Sequence, residues 1–281
     1  MDAIYDPKDA EICRKLLERV KTAGAHALPG LIAAVGRHFL DTPYEAGTLE
    51  RKGPEMLVVN LRAFDCVTFV ENAVVLAGLI LAGRADFAGY LAALEWIRYR
   101  RGTCNGYPSR LHYFTDWLYD NDRKGIVRNV TRQIGGVPFP KVFCRLTNHR
   151  ADQPALGDPA VFRRMRIIEG ICTRRPLFHI QKADLGLSDK RIENGDIIAV
   201  TTDDEGIDIR HTGIALRVRG KLHMLHASSA AGRVVLSDKT LGAYLADSPG
   251  RTGIIVGRAV PTAVRHLRRR PRDPRDSTGL S

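Results

Sequence analysis

The sequence predicts an α+β fold, with helices in the first part of the chain and antiparallel strands in the last part. Apolar residues at helical spacing predict a helix from Asp9 to Phe39. After residue 195 the pattern changes to short apolar or alternating segments bounded by Gly, Asp or Ser, which is typical of strands. The predicted strands are Asp196–Val200, His211–Val218, Leu222–Ala227, Val234–Leu236 and Ile254–Ala259.

The segment from Cys66 to Ala82 is apolar on nearly all sides and predicts a central helix that its neighbours bury. Gly83 follows it and is a common residue just beyond a helix end. The polar residues that interrupt this segment are mainly Thr68, Glu71 and Asn72. Outside it, the pattern predicts a helix from Phe87 to about Arg100 and a short strand at Met56–Leu61.

The domain organisation predicted from these patterns is a single domain over residues 1–262. A mixed insertion at about 102–190 is rich in Arg, Pro and aromatic residues. Residues 263–281 form a basic tail, which we expect to be disordered because it is poor in apolar residues.

Composition places the chain among soluble globular proteins, with 44% apolar residues and a formal charge of +12. The positive charge favours an anionic partner, whether nucleic acid, a membrane surface or a carboxylate-rich substrate. The longest apolar stretch, Ala73–Ala82, is about half of a membrane span, so none is predicted. Without an export signal the chain is expected in the cytoplasm, or in the periplasm or cell envelope if a leader was removed.

The chain has five cysteines, an odd number that leaves at least one free thiol. No pair has the spacing of a metal finger, which argues against a structural zinc site and a disulfide framework. They are Cys13, Cys66, Cys104, Cys144 and Cys172.

Cys66 follows Asp65 at the predicted start of the central helix. Unpaired N–H groups and the helix dipole favour a thiolate at this position and could hold the oxyanion of a tetrahedral intermediate. The ordinary alternative is that Cys66 is a small buried residue and Asp65 a helix cap. The position alone does not decide between them.

His211 and His226 lie on consecutive predicted strands. If Arg219-Gly220 is a two-residue turn, His226 lies opposite Gly213, on the same face as His211 and offset diagonally by two residues. A four-residue turn gives the same parity, whereas a three-residue turn separates the rings. Such a pair suits a base and a residue that orients it. Partly exposed strand histidines, or a zinc site without a convincing carboxylate ligand, are the alternatives.

In this order the motifs resemble the NlpC-type branch of papain-like cell-wall cysteine hydrolases. They are Asp65-Cys66, His211-Thr212-Gly213 and His226-Ala227-Ser228, with Pro43-Tyr44-Glu45-Ala46-Gly47 upstream. The chain is similar above all to the N-acetylmuramoyl-L-alanine amidase-like subfamily, from about Leu40 to Val260. The segments that carry this closer resemblance are Asp65 to Glu71, Ser109 to Trp117 and Gly195 to Ile198.

The resemblance implies a papain-like fold, with the nucleophile at the N-terminus of a central helix packed on an antiparallel sheet. It implies hydrolysis of the amide between muramic acid and the peptide stem in peptidoglycan fragments, with anhydro-muropeptides as the substrate class. Cys66 would be the nucleophile, His211 the base and His226 the orienting residue, with no metal or cofactor. The implied substrate-binding residues are Tyr44, Asp65, Ser109, Arg110, His112 and Tyr113. For several of these, a turn, a surface ion pair or simple packing is the ordinary alternative.

Other functions stay open at this point. A related enzyme could be a thiol acyltransferase or a γ-D-glutamyl endopeptidase that cuts lower on the stem. A basic, non-enzymatic nucleic-acid-binding module is the alternative of another class, although no ordered nucleic-acid motif is visible. The expected partner is therefore a muropeptide or peptidoglycan fragment, not nucleic acid.

Overall fold

A computed structural model of the protein describes residues 2–21, 27–84 and 86–261. The predicted tail at 263–281 lies outside them. The helices are α1 (Pro7–Lys21), α2 (Leu28–His38), α3 (Cys66–Leu81), α4 (Phe87–Arg98), α5 (Phe114–Arg123), α6 (Arg145–Asn148), α7 (Pro159–Thr173), α8 (Leu185–Ser188) and α9 (Leu241–Ala246). The strands are β1 (Ala3–Ile4), β2 (Leu57–Val58), β3 (Val127–Asn129), β4 (Val137–Pro138), β5 (Phe178–Gln181), β6 (Ile197–Thr202), β7 (Ile209–Val218), β8 (Lys221–Ser228), β9 (Arg233–Thr240) and β10 (Arg251–Ala259).

The main sheet has the strand order β4-β5-β10-β6-β7-β8-β9, and each neighbouring pair is antiparallel. β3 pairs with the C-terminal end of β10, and β1 and β2 form a separate parallel pair. The predicted α+β class with an antiparallel sheet is confirmed. The five strands predicted after residue 195 correspond to β6 to β10, and the short strand predicted at Met56–Leu61 corresponds to β2.

The hairpin between β7 and β8 has the predicted two-residue turn. Val218 pairs with Lys221, and Arg219 and Gly220 both have positive φ angles, of 49° and 79°. This combination is typical of the type I′ turn, whose twist matches that of the flanking strands. The resulting register brings His226 of β8 beside His211 of β7.

The single helix predicted from Asp9 to Phe39 is wrong, because two helices are present. Pro29 occupies the first turn of α2, the part of a helix in which a missing N–H costs little. The proline therefore begins a second helix. Residues 22–26, between the two helices, lie outside the described part of the chain.

The central helix α3 is buried, as predicted, and its polar side chains are hydrogen-bonded. Thr68 forms a reciprocal capping box with Asp65, with distances of 2.7 and 3.0 Å. Glu71 accepts from Arg98 at 2.8 Å. Asn72 donates to the Thr68 carbonyl at 2.8 Å and accepts from the Tyr90 hydroxyl at 2.6 Å. These polar residues are satisfied inside the core instead of marking a solvent-exposed face.

Two hydrophobic clusters lie on opposite faces of the sheet. The larger cluster packs the four helices α1, α2, α3 and α4 against one face of the sheet. It includes Phe69 and Leu76 of α3 and Ile214 of β7. The smaller cluster covers the other face with residues such as Leu185 and Leu241. The helix that carries Cys66 is thus held between helices and the sheet that carries the histidines.

The segment at 102–190 contains short helices and strands with small apolar clusters of their own, one around Tyr107 and Met165 and one around Tyr113 and Phe143. Its designation as an insertion in one domain over 1–262 stays a prediction. All five cysteines are free thiols. Within the described ranges, no helix combines the length and apolar character needed to cross a membrane.

Candidate active site

The Cys66 thiol lies at the first turn of α3, directly after its capping residue Asp65. Burial raises the pKa of the thiol to about 12, and the charge of Asp65 acts in the same direction. Backbone hydrogen bonding from Thr212, Cys66 and Val67 opposes this rise. The favourable helix end expected from the sequence is present, but burial outweighs it. The resting thiol is therefore protonated at neutral pH.

Cys66 and His211 line the same cavity, of about 260 Å³, which we call the Cys66 cavity. Thr212, next to His211 on β7, is also the source of a backbone hydrogen bond to the thiol. The other lining residues are mostly apolar or aromatic: Val67, His112, Tyr113, Phe114, Arg145, Leu146, Ile207, Asp208, Ile209 and Arg210. The predicted nucleophile and base are thus brought together.

His211 and His226 are in direct contact, with Nε2 of His211 2.6 Å from Nδ1 of His226. Their rings meet edge to face, with centroids 4.8 Å apart. Burial lowers the pKa of His211 to about 3, with further contributions from His226 and Arg251. Burial and Arg251 lower the pKa of His226 to about 4. Both rings are neutral at pH 7, one donates to the other, and Nδ1 of His211 is left for another partner.

Tyr244 and Arg251 also belong to this site, although neither was predicted from the sequence. The Tyr244 ring centroid lies 6.3 Å from that of His211 and 5.7 Å from that of His226. Arg251 stacks on the Tyr244 ring, with Cζ 3.8 Å from the ring centroid, and donates to the Tyr244 carbonyl. Neither residue adjoins a recognisable motif, so no sequence signal could have identified them.

Tyr44 lies close to the nucleophile, as the resemblance implies. It forms an isolated bridge with Phe64, two residues before Cys66. Its hydroxyl pKa is raised by burial first, and then by the charges of Cys66 and Asp65. Tyr44 and Asp65 are therefore both neighbours of the thiol. Asp65 is also the cap of the helix, the role that the sequence predicted as the alternative to contact with substrate.

His112 and Tyr113 line the Cys66 cavity, and each is fixed by a hydrogen bond. His112 Nε2 donates to the Tyr107 carbonyl at 2.9 Å, and the Tyr113 hydroxyl donates to Glu169 at 2.6 Å. Burial lowers the pKa of His112 to about 3. Their positions allow contact with a bound molecule, and their substrate-binding role stays a prediction.

Ser109 and Arg110 do not line the Cys66 cavity. The Ser109 hydroxyl donates to the Gly106 carbonyl at 2.7 Å. The buried Arg110 guanidinium bonds Glu50 at 2.6 Å and the Leu49 carbonyl at 3.0 Å. Arg110 forms an ion pair in which its own side chain is the buried partner. Its position therefore does not support the predicted contact with substrate.

Three charged residues of the cavity wall, Arg145, Asp208 and Arg210, were not singled out from the sequence. Asp208 accepts from the backbone N–H of Thr115 at 2.7 Å and of Ile209 at 2.9 Å, and burial raises its pKa. The only feature of the sequence that could have pointed to Asp208 is its position three residues before His211. In the described part of the chain, no group of three or more His, Cys, Asp or Glu side chains is arranged to hold a metal ion.

The chain matches one protein family and several solved structures. The family described as N-acetylmuramoyl-L-alanine amidase-like matches residues 34–254. A crystal structure of an N-acetylmuramoyl-L-alanine amidase from Bacteroides uniformis ATCC 8492 is 33% identical, covers 83% of this chain and 99% of that chain, and has a TM-score of 0.77. A putative xylanase from Bacteroides fragilis is 35% identical, with 80% and 99% covered and a TM-score of 0.74.

A protein from Legionella pneumophila str. Philadelphia 1 shares the fold at 21% identity, with 90% of this chain and 95% of that chain covered and a TM-score of 0.70. A search of curated proteins gives no match. Because the family match spans most of the sequence, the chain belongs to the N-acetylmuramoyl-L-alanine amidase-like family.

Proposed function

We propose that the protein is a papain-like cysteine amidase of the NlpC type, which hydrolyses the N-acetylmuramoyl–L-alanine bond of peptidoglycan fragments, with anhydro-muropeptides as substrates. Family membership supports an amidase acting on this class of molecule. The observation that carries the chemistry is the meeting of Cys66 and His211 in one cavity, with His226 bonded to Nε2 of His211, which leaves Nδ1 for the thiol.

The first step begins from a neutral pair, because the thiol pKa is raised and the His211 pKa is lowered. A preformed thiolate–imidazolium pair is therefore disfavoured, and the proton passes to His211 Nδ1 as sulfur attacks the amide carbon. A C–S bond forms while the carbonyl electron pair moves onto oxygen. Backbone N–H groups of the first α3 turn, at Cys66 and Val67, would stabilise this oxyanion.

In the second step the imidazolium of His211 gives its proton to the amide nitrogen, and the C–N bond breaks to release the stem peptide as an amine. Water then adds to the thioester while His211 accepts its proton. Collapse of this second intermediate frees the muramoyl carboxylate and returns the proton to sulfur. Throughout, His226 holds the His211 ring in the orientation that keeps Nδ1 toward the sulfur.

The test is a panel of muropeptides, with and without the 1,6-anhydro sugar, whose products are identified by mass. We expect an intact stem peptide beginning with L-alanine and a sugar without peptide, formed faster from the anhydro substrates. Cys66→Ala should remove this activity and keep the thermal unfolding profile. Cys104→Ser is the matched control, since this half-buried cysteine bonds the Glu55 carbonyl outside the Cys66 cavity and serine can retain that bond.

Other products would contradict the proposal in different ways. A product in which L-alanyl-D-glutamate stays attached to the sugar, with the rest of the stem released, would identify a γ-D-glutamyl endopeptidase. Transfer of the muramoyl group to an added amine in preference to water would identify an acyltransferase. Salt-dependent binding of duplex DNA, with no hydrolysis of any muropeptide, would favour the nucleic-acid-binding alternative.

A further inference from the structure

A second cavity, of about 450 Å³, adjoins the Cys66 cavity and shares Arg145 and Ile207 with it. We call it the Arg145 cavity. Its remaining walls are polar, in contrast to the mostly apolar Cys66 cavity. They consist of Cys144, Asn148, His149, Asp204 and Glu205. Arg145 therefore stands in the wall of both the cavity that holds Cys66 and this polar one.

Arg145 has an exposed guanidinium with no carboxylate within 4 Å among the residues that the structure describes. The other arginine of the Cys66 cavity, Arg210, is different, because it is paired with Asp204 at 2.8 Å. The Arg145 side chain instead donates a hydrogen bond from Nη1 to His149 Nε2 at 2.7 Å. The charge of Arg145 is thus available to a ligand, whereas that of Arg210 is neutralised by the protein.

The backbone that carries Arg145 is fixed from two sides. The Arg145 N–H donates to the Gly206 carbonyl at 3.1 Å, and Gly206 has a φ of +76° and approaches so closely that a Cβ would lie 2.9 Å from the Arg145 nitrogen. The next two N–H groups, of Leu146 and Thr147, both donate to Glu169 at 3.2 Å. These bonds fix the backbone position from which the Arg145 side chain extends, and the bond to His149 holds its guanidinium.

We infer that Arg145 binds a carboxylate of the peptide stem, next to the amide that Cys66 attacks; this inference rests on the proposed function. The planar guanidinium can donate two parallel hydrogen bonds to a carboxylate. In a stem in which D-glutamate follows L-alanine and is linked through its side chain, the α-carboxylate is free and lies one residue beyond the cut bond. The leaving peptide then occupies the Arg145 cavity, and this carboxylate becomes the group that distinguishes substrates.

The experiment compares two 1,6-anhydro-N-acetylmuramoyl dipeptides, which differ only in having an α-carboxylate or an α-carboxamide on the second residue. For the unmodified enzyme we expect kcat/KM to be about 10- to 100-fold higher on the carboxylate, the range for a hydrogen bond between charged groups. Arg145→Gln should lose this preference by a selective fall on the carboxylate substrate. Arg145→Lys should keep part of the preference, because lysine carries the charge but cannot donate the two parallel hydrogen bonds of a guanidinium.

Arg128→Gln is the control for a general loss of positive charge, since Arg128 is exposed on β3 and lies outside both cavities. It should keep the full preference. An unmodified enzyme that cleaves both dipeptides equally, or an Arg145→Gln enzyme that keeps the preference, overturns the inference and leaves the proposed function standing. Failure of the unmodified enzyme to cut the muramoyl–L-alanine bond in any muropeptide overturns the proposed function itself.

Discussion

The guanidinium carbon of Arg251 lies 3.8 Å from the centroid of the Tyr244 ring, and Tyr244 in turn contacts both histidine rings of the candidate site. The contact places a permanent positive charge behind two imidazoles, and this charge lowers the pKa of both. The ionisable groups near the pair also include Cys66 on α3, and Asp208 and Arg210 in the cavity wall. The positive charge and the burial together favour uncharged rings, the state in which His211 can accept a proton.

Removal of the Arg251 charge should therefore change the pH dependence of catalysis. In Arg251→Met the pKa values of His211 and His226 rise, so both rings become protonated at a higher pH and the acid limb of kcat/KM moves upward. Arg251→Lys retains a charge and should keep the acid limb near its original position. An acid limb that is the same in all three enzymes would contradict the electrostatic role of Arg251.

The unmodified enzyme should have a broad pH profile. His211 stays neutral at pH values below the ordinary histidine pKa, because its own pKa is lowered to about 3. The thiol stays neutral at pH values above the ordinary cysteine pKa, because its own pKa is raised to about 12. We expect kcat/KM on a muropeptide to stay level between about pH 5 and pH 8. An acid limb centred near the ordinary histidine pKa, about 6.5, would show that the rings are solvated during catalysis.

The two histidines should differ in their contributions. His211→Ala removes the base, and a loss of about 100- to 10,000-fold in kcat is expected. His226→Ala leaves the base in place but lets the His211 ring rotate, so a smaller loss is expected. His226→Gln should recover activity, because the glutamine can again bond Nε2 of His211. Single-turnover rates measure the chemical step. Equal, mild losses in the two alanine variants would contradict this division of roles.

The parts of the fold and site that the sequence predicted are those set by local pattern. The register of His211 against His226 follows from a two-residue turn, and the buried helix after Cys66 follows from its apolar run. The break between α1 and α2 was foreseeable from Pro29, but helical periodicity on both sides concealed it. Tyr244 and Arg251 could not be predicted, because their relation to the histidines depends on how α9 and β10 pack around β8.

The raised pKa of the Cys66 thiol could not be predicted from the sequence either. The helix start at Cys66 predicts a stabilised anion, whereas the amount of protein packed around the sulfur depends on tertiary structure. The same holds for Arg145, whose place in the wall of the Cys66 cavity depends on contacts between segments that are distant in sequence, such as its backbone bond to Gly206.

A last prediction concerns Gly195, which precedes β6 and packs against the start of α2. It has a φ of +85°, and a Cβ there would lie 2.4 Å from the Pro29 carbonyl oxygen and 2.7 Å from the Pro29 Cα, so the substitution combines backbone strain with a clash against backbone. Gly125 is the matched control, since its φ is +72° and nothing lies within 4 Å of the position that a Cβ would occupy.

We expect Gly125→Ala to lower the free energy of unfolding by about 1 kcal/mol, from strain alone. Gly195→Ala should lower it by a further amount of about 1 to 3 kcal/mol, as overpacking does. Urea unfolding followed by circular dichroism measures both. Because α2 packs against α3, the helix that carries Cys66, Gly195→Ala should also reduce kcat. Equal stability losses in the two variants would show that the sheet moves away from Pro29 at little cost.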